Sequence, residues 1–261
     1  MQGISVQKNF VDKVTFAAKQ GVNIDVMRNG QLVRVDCGMP SSTFNVAVVL
    51  TDDLDAKTIE KDLIKYYKDK NYPFAVWCWE HLTKAKKHLD ASSLTMTETA
   101  VAMVATADDL QIEKQHIADY QIKEIDSTQD MAIYAAILSS LWGDSLEAVN
   151  VRKYCNLLGE HNLQLNRANR FYLGYLKKKP VCAASVFYSV DTAGIYDLVT
   201  VNDYRKQGLA SVMFGHLLAE IKRNGYSHYT LQASEAGANI YKQAGFKPVN
   251  TIYVYENEFQ L

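Results

Sequence analysis

The sequence predicts an α+β protein in two domains, built on a mixed sheet with helices packed against it. Three observations predict this. A length of 261 residues is generous for one ordinary domain and comfortable for two. Apolar residues make up 48% and charged residues 22%, a balance that can fill complete cores. Stretches of β-branched character alternate with stretches of helical spacing. In the second half, strands in a meander precede a strand–helix–strand–helix–strand order.

The elements follow in order. Residues 6–20 place Phe10, Val14, Ala17 and Ala18 at helical spacing. Asn29-Gly30 marks a turn, after which Leu32 to Val35 reads as a strand. The run Phe44 to Leu50 reads as a buried strand. Asp52 to Asp55 offers caps for a helix to about Lys70, with Ile59, Leu63 and Tyr66 on one face. Pro73 to Trp79 and Thr97 to Thr106 are the next strands. The composition then turns polar between Ala107 and Asp126, which places a boundary between a domain of residues 1–115 and one of residues 116–261. Tyr120 to Ile125 opens the second domain as a strand, and helices follow at Asp130 to Leu141 and Ser145 to Gly159. Phe171 to Leu176, Val181 to Tyr188 and Ile195 to Val201 are successive strands. A helix from Gly208 to Arg223 closes at Asn224-Gly225. A strand at His228 to Ala233, a helix at Glu235 to Ala244 and a strand at Thr251 to Tyr255 complete the chain.

Composition narrows the function classes. The net charge is -1, and neither half has the basic excess that nucleic-acid backbones require. The longest apolar runs, such as Met131 to Leu138, are too short to span a bilayer. The polar amino terminus (Gln2, Ser5, Gln7, Lys8, Asn9) lacks the apolar core of a signal peptide. Cys37, Cys78, Cys155 and Cys182 are widely spaced, which reads as buried free thiols in a reducing cytoplasm. No His, Cys and Asp cluster has metal-ligand spacing, so no metal is expected.

The sharpest chemical signal is the junction Arg205-Lys206-Gln207-Gly208-Leu209-Ala210, between a strand and a helix. A helix amino terminus presents unpartnered N–H groups and the positive end of the helix dipole, which suits phosphate oxygens. Gly208 and Ala210 keep the approach clear, and Arg205 and Lys206 add attraction for an anion. Downstream, residues 231–246 read L-Q-A-S-E-A-G-A-N-I-Y-K-Q-A-G-F.

The two segments together resemble the GNAT acetyltransferase family. Its pyrophosphate loop reads [Q/R]-x-x-G-x-[G/A], and its terminal signature ends a helix in Y-x-x-x-G-F. The resemblance covers about residues 120 to 261. It implies a mostly antiparallel sheet with splayed central strands, acetyl-CoA as co-substrate, and transfer of acetyl to a primary amine. It further implies that the backbone of Leu198, Val199 and Thr200 pairs with pantetheine and polarises the thioester. Tyr241 is the candidate general acid, since a phenol of pKa about 10 is protonated at neutral pH. Ser234, Gly237 and Tyr241, at i, i+3 and i+7, would share a helix face toward the cofactor. Ser234 departs from the family's usual Asn. The general base stays open between Asp197, Asp144 and neither; His216 reads as a surface or satisfied histidine.

In the first half, G-M-P-S-S-T-F-N at 38–45 and Y-P-F-A-V-W at 72–77 resemble patterns from the amino-terminal half of tandem GNAT proteins. That half has neither the R-x-x-G-x-A loop nor the Y-x-x-x-G-F ending. It is expected to be a degenerate GNAT-like domain that shapes the acceptor cleft, with Trp77, Trp79 and Trp142 as wall or core. A reading from another class also fits the motifs: a catalytically silent acyl-CoA-binding or partner-docking module. The acyl length, the acceptor and the oligomeric state stay open.

Overall fold

The computed structural model describes residues 2–111, 116–234 and 237–258, without the side chains of residues 2–4 and 164. Helix α1 (Gln2–Lys19) leads into β1 (Asp25–Arg28), β2 (Leu32–Asp36) and β3 (Val46–Val49). Next, α2 (Ala56–Thr58) passes through a π-helical stretch (Ile59–Lys65) into α3 (Tyr66–Lys70). Strand β4 (Ala75–Trp79), helix α4 (Thr83–Asp90) and strand β5 (Thr95–Thr106) end the first half. The second half runs β6 (Tyr120–Glu124), α5 (Thr128–Ser139), α6 (Leu146–Glu160), β7 (Asn169–Leu176), β8 (Lys179–Tyr188) and β9 (Ala193–Thr200). It closes with α7 (Leu209–Arg223), β10 (His228–Ser234), α8 (Ala238–Gln243) and β11 (Lys247–Glu256).

The sequence reading placed most of these elements but not β1 or α4. Only Ala85 and Leu89 of α4 are buried, so the T-K-A-K-K-H-L-D segment carries almost no apolar period. The four residues of β1 form an edge strand, paired on one side to β2.

All the described strands join one sheet in the order β1-β2-β3-β4-β11-β5-β10-β9-β8-β7-β6. Outward from the central β11–β5 pair, both directions give an antiparallel neighbour, then a parallel pair, then antiparallel strands. The sheet is therefore pseudo-symmetric, and the halves exchange strands. First-half β5 lies between β10 and β11, and second-half β11 lies between β4 and β5.

Each parallel pair is short. Strand β9 meets β10 only at Ala193, Gly194 and Ile195, so Tyr196 to Thr200 run on with no strand on that side. A bulge opposite Ala183–Ser185 bends β9 there, with Asp197 at a left-handed φ of 56°. The splay implied by the resemblance is thus present, and its local cause is one extra residue.

Cores fill both faces of the second-half sheet, and β8 shows why. Ala183 and Phe187 join the core under α1, α5 and α6, whereas Ala184, Val186 and Tyr188 join the core under α7. Helix α1 crosses onto the second half through Asn9, which is 0% exposed. Its amide donates to Thr192 Oγ1 (2.9 Å) and its carbonyl accepts from Tyr196 OH (2.7 Å). Any side chain at Gly194 would collide with it, a Cβ standing 2.1 Å from Asn9 Oδ1. The G-M-P-S-S-T-F-N segment docks on α6 in the same way. Glu147 accepts from Ser41 Oγ (2.8 Å) and Thr43 N (3.0 Å), and Asn150 donates to Pro40 O (2.8 Å). Asn45 ties that segment to the other motif by donating to Pro73 O (2.9 Å). All four cysteines are free and buried, and burial pushes the Cys37 and Cys78 thiols up to about 12. Among the described residues, no helix is long and apolar enough to cross a membrane.

Candidate functional site

The strand-to-helix junction after β9 turns sharply. A single 3-10 turn (Asn202–Tyr204) leads to Arg205, and Lys206 and Gly208 then adopt left-handed φ values of 61° and 79°. Gly208 caps α7 with no side-chain hydrogen bond. The first amide to find a carbonyl is Val212, which donates to Gly208 O at 3.1 Å. Among the described residues, the amides of Leu209, Ala210 and Ser211 have no such partner. They point out of the positive end of a 15-residue helix, an arrangement that attracts phosphate oxygens. Arg205 Nε donates to Thr200 O (3.0 Å), which staples the loop to the end of β9.

This loop forms one side of a cleft of about 300 Å³. The stretch of β9 left without a strand on the β10 side (Leu198, Val199, Thr200) forms its floor, and Ser234, Gly237 and Tyr241 form the opposite side. Arg205, Lys206, Gly208, Leu209 and Ala210 also line it. Of the residues that the sequence singled out for this cleft, Gln207 alone does not line it. Its side chain folds back to donate to Asp203 O at 3.4 Å. Sequence reasoning missed Tyr204, Leu141 and Ile240. The last two are 48% and 47% exposed, unusual for large apolar side chains, and they give the cleft an apolar rim.

Ser234, Gly237 and Tyr241 do meet, though not as three residues of one helix face. Helix α8 begins at Ala238, so Ser234 is the last residue of β10 and Gly237 is the N-cap. Glu235 and Ala236 lie outside the described residues. Ser234 Oγ accepts from Gly237 N (3.3 Å), and a Cβ on Gly237 would lie 3.6 Å from the Tyr241 ring. That ring rests edge-on against Phe214 at 5.0 Å. Burial raises the Tyr241 pKa, so the phenol keeps its proton through neutral pH.

A second cavity, about 280 Å³, opens between the halves and shares Ser234 with the first. Its walls include Phe10 and Trp77 (centroids 4.7 Å apart) and Phe44 and Tyr154 (3.8 Å). Two carboxylates, Asp197 and Glu98, complete the lining. Strand alternation left the direction of Asp197 open; the bulge turns it into this cavity. There it accepts from Ser185 Oγ (2.7 Å) and Tyr134 OH (3.0 Å) and pairs with Lys13 Nζ (3.5 Å). Asp144 is exposed and lines neither cavity. Of the tryptophans, Trp77 lines the cavity, Trp79 is fully buried and Trp142 packs half-buried on the core. His216 meets Tyr172 edge-on and lines neither cavity, and burial lowers its pKa. Among the described residues, no group of His, Cys, Asp and Glu is placed to hold a metal ion.

Comparison with known proteins agrees with this geometry. Residues 148–258 match the family model described as an acetyltransferase (GNAT) domain. No curated protein matches the sequence. A GCN5-related N-acetyltransferase from Kribbella flavida is similar in structure at a TM-score of 0.68, with 16% identity over 94% of each chain. A tandem GNAT protein from the clavulanic acid biosynthesis pathway gives 0.60 at 12% identity, over 98% of this chain and 96% of its own. A GCN5-related N-acetyltransferase from Sphaerobacter thermophilus gives 0.60 at 12% identity, over 90% of this chain and 83% of its own. The chain thus matches the GNAT acetyltransferase domain model over residues 148–258, and its fold is that of the GCN5-related N-acetyltransferases.

Proposed function

We propose that this protein is a cytoplasmic N-acetyltransferase that moves acetyl from acetyl-CoA to a primary amine by direct attack. In this reading residues 116–261 are the catalytic domain. Residues 1–115 are a degenerate GNAT-like domain that closes the acceptor side. The observation that carries the reading is that one cleft joins the unpartnered amides at Leu209 and Ala210 with the Tyr241 phenol.

The residues divide the work as follows. The amides at the start of α7 hold the diphosphate, with Arg205 and Lys206 adding charge. The backbone of Leu198, Val199 and Thr200, left without a strand on the β10 side, pairs with the pantetheine arm and polarises the thioester carbonyl. A preformed N–H donor of this kind is worth about 3–4 kcal/mol in other enzymes. The amine approaches from the inter-half cavity, past Ser234. Its nitrogen bonds to the carbonyl carbon, the C–S bond breaks, Tyr241 gives its proton to the leaving thiolate, and the proton that nitrogen sheds restores Tyr241.

The test is calorimetric titration of acetyl-CoA into the whole chain, paired with turnover of Tyr241→Phe. The whole chain is needed because strand exchange leaves the second half without β5 when cut free. The expected result is saturable binding that Tyr241→Phe leaves intact while turnover falls. No binding at millimolar ligand would sink the reading, and a variant that loses affinity alone would remove the acid role.

A further inference from the structure

Glu98 lines the inter-half cavity, which shares Ser234 with the first cleft. Strand exchange carries β5 against β10, pairing Ala100 with Ser234 and Ala102 with Gln232. Glu98 is the next residue on the Ala100 face, one step past the end of β10. Ala100 is small, and so leaves open the space that leads from Ser234 to the carboxylate. Both carboxylates of the cavity are in view, and they differ. Asp197 is fully engaged by Ser185, Tyr134 and Lys13. Glu98 has no hydrogen-bond or ion-pair partner among the described residues and stays open to solvent.

The rest of the lining fixes what this carboxylate can hold. The ammonium of Lys13 is already neutralised by Asp197 and lies 4.6 Å over the Tyr196 ring. Among the described residues, the cavity therefore offers one uncompensated negative charge to a guest. Its walls are mainly rings (Phe10, Phe44, Trp77, Tyr154, Phe171 and Tyr196), with the polar side chains of Thr43, Asn169, Gln232 and Ser234 between them. A polyamine would need several free carboxylates. One charge facing an aromatic wall in about 280 Å³ suits a single ring on a short aliphatic amine.

We infer that the inter-half cavity is the acceptor site for a small primary amine with an aromatic body, whose ammonium is held and deprotonated by Glu98. The inference rests on the acetyltransfer reading above and adds to it both the acceptor and the missing base. Glu98 takes one proton from the ammonium. The freed nitrogen attacks the thioester carbon, the thiolate leaves with the Tyr241 proton, and the second proton lost by nitrogen restores Tyr241. One proton passes from Glu98 to water in each turnover, so the balance closes. Residues of the otherwise silent first half would then act directly on the acceptor.

Partial burial of Glu98 against the cavity wall and the like charge of Glu256 raise its pKa, which brings it toward the working range of a base. Among the described residues, the other charged groups at the cavity are Asp197 on β9 and Lys13 on α1. The lining tyrosines Tyr134, Tyr154 and Tyr196 are raised by burial and stay neutral. Activity toward the amine should climb with pH through the raised Glu98 value. Stability runs the other way. A carboxylate raised by the fold weakens the native state as pH rises from its unfolded pKa through the folded one. Glu98→Gln should therefore melt at or above the wild-type temperature at pH 7.

The experiment uses the whole chain, acetyl-CoA and three probe amines, 2-phenylethylamine, spermidine and glucosamine, with release of free thiol as the readout. Acetyl-CoA binding is checked first by calorimetry, since its absence would end the acetyltransfer reading itself. Given binding, 2-phenylethylamine should exceed the other two by about 100-fold in kcat/KM. Glu98→Gln should lower that value about 100-fold, remove the acidic limb of the pH profile and leave acetyl-CoA affinity unchanged within about twofold. Glu98→Asp should restore part of the activity together with the limb. Acetyl-CoA binding with spermidine or glucosamine preferred, or with no turnover of 2-phenylethylamine, would overturn the acceptor class. An acidic limb that survives in Glu98→Gln would overturn the base.

Discussion

The two halves of the molecule follow one plan with opposite charge at the decisive corner. Each splays a parallel pair after three residues, β3 from β4 and β9 from β10, and each then turns from the strand into a helix. In the second half that turn carries Arg205, Lys206 and Gly208. In the first it carries Asp52, Asp53 and Asp55. Asp52 also fills the space. Its carboxylate accepts from Lys84 N (2.7 Å) and Ala85 N (3.2 Å), the opening amides of α4. Asp55 caps the next helix at Thr58 N (2.8 Å), and that bond holds its carboxyl below the ordinary range. The helix starts that would grip an anion are already occupied by the protein's own anions. The difference teaches that topology alone does not make a coenzyme site; the sign of a few side chains at a helix entrance decides it.

That contrast can be sharpened at four places. The largest expected effect is at Tyr241, which has no counterpart in the T-K-A-K-K-H-L-D helix of the first half. Tyr241→Phe should lower kcat about 100-fold or more in a thiol-release assay, with the acetyl-CoA Kd nearly unchanged. Gly208→Asp gives the second half the charge of the first, and calorimetry should show acetyl-CoA binding about 30- to 100-fold weaker. Asn9→Ala removes the bonds that tie α1 to β9, and should cost about 2–3 kcal/mol in urea unfolding. Asp52→Ala should cost about 1 kcal/mol by the same measurement, through loss of the α4 cap, and should create no second binding site.

Local features of the site were legible in the sequence, and long-range ones were not. The strand–loop–helix at 195–223 announces itself by its apolar pattern and Gly208, and the cleft is built there. Tyr241 could be picked out because the helix and its G-F ending follow one another within a few residues. Strand exchange left no such trace. The T-E-T-A-V-A-M-V pattern of β5 predicts a strand but does not name its neighbours, because pairing is a non-local choice. Glu98 was invisible for that reason: as an isolated charge on a strand it reads as solvated, and only its place beside β10 gives it a role. The direction of Asp197 depended on a one-residue bulge, which reverses every inference from alternation. Gly194 falls just before the strand predicted from Ile195, and only its place inside β9 shows the close approach of Asn9.

The central claim, that a single helix entrance in this two-halved chain is open to coenzyme, is tested most directly by the stoichiometry of acetyl-CoA binding. Titration of the intact chain should give one site, lost or strongly weakened in Gly208→Asp and unchanged when Asp52, Asp53 and Asp55 are together replaced by Asn. Two sites per chain, or one site indifferent to Gly208→Asp, would contradict it.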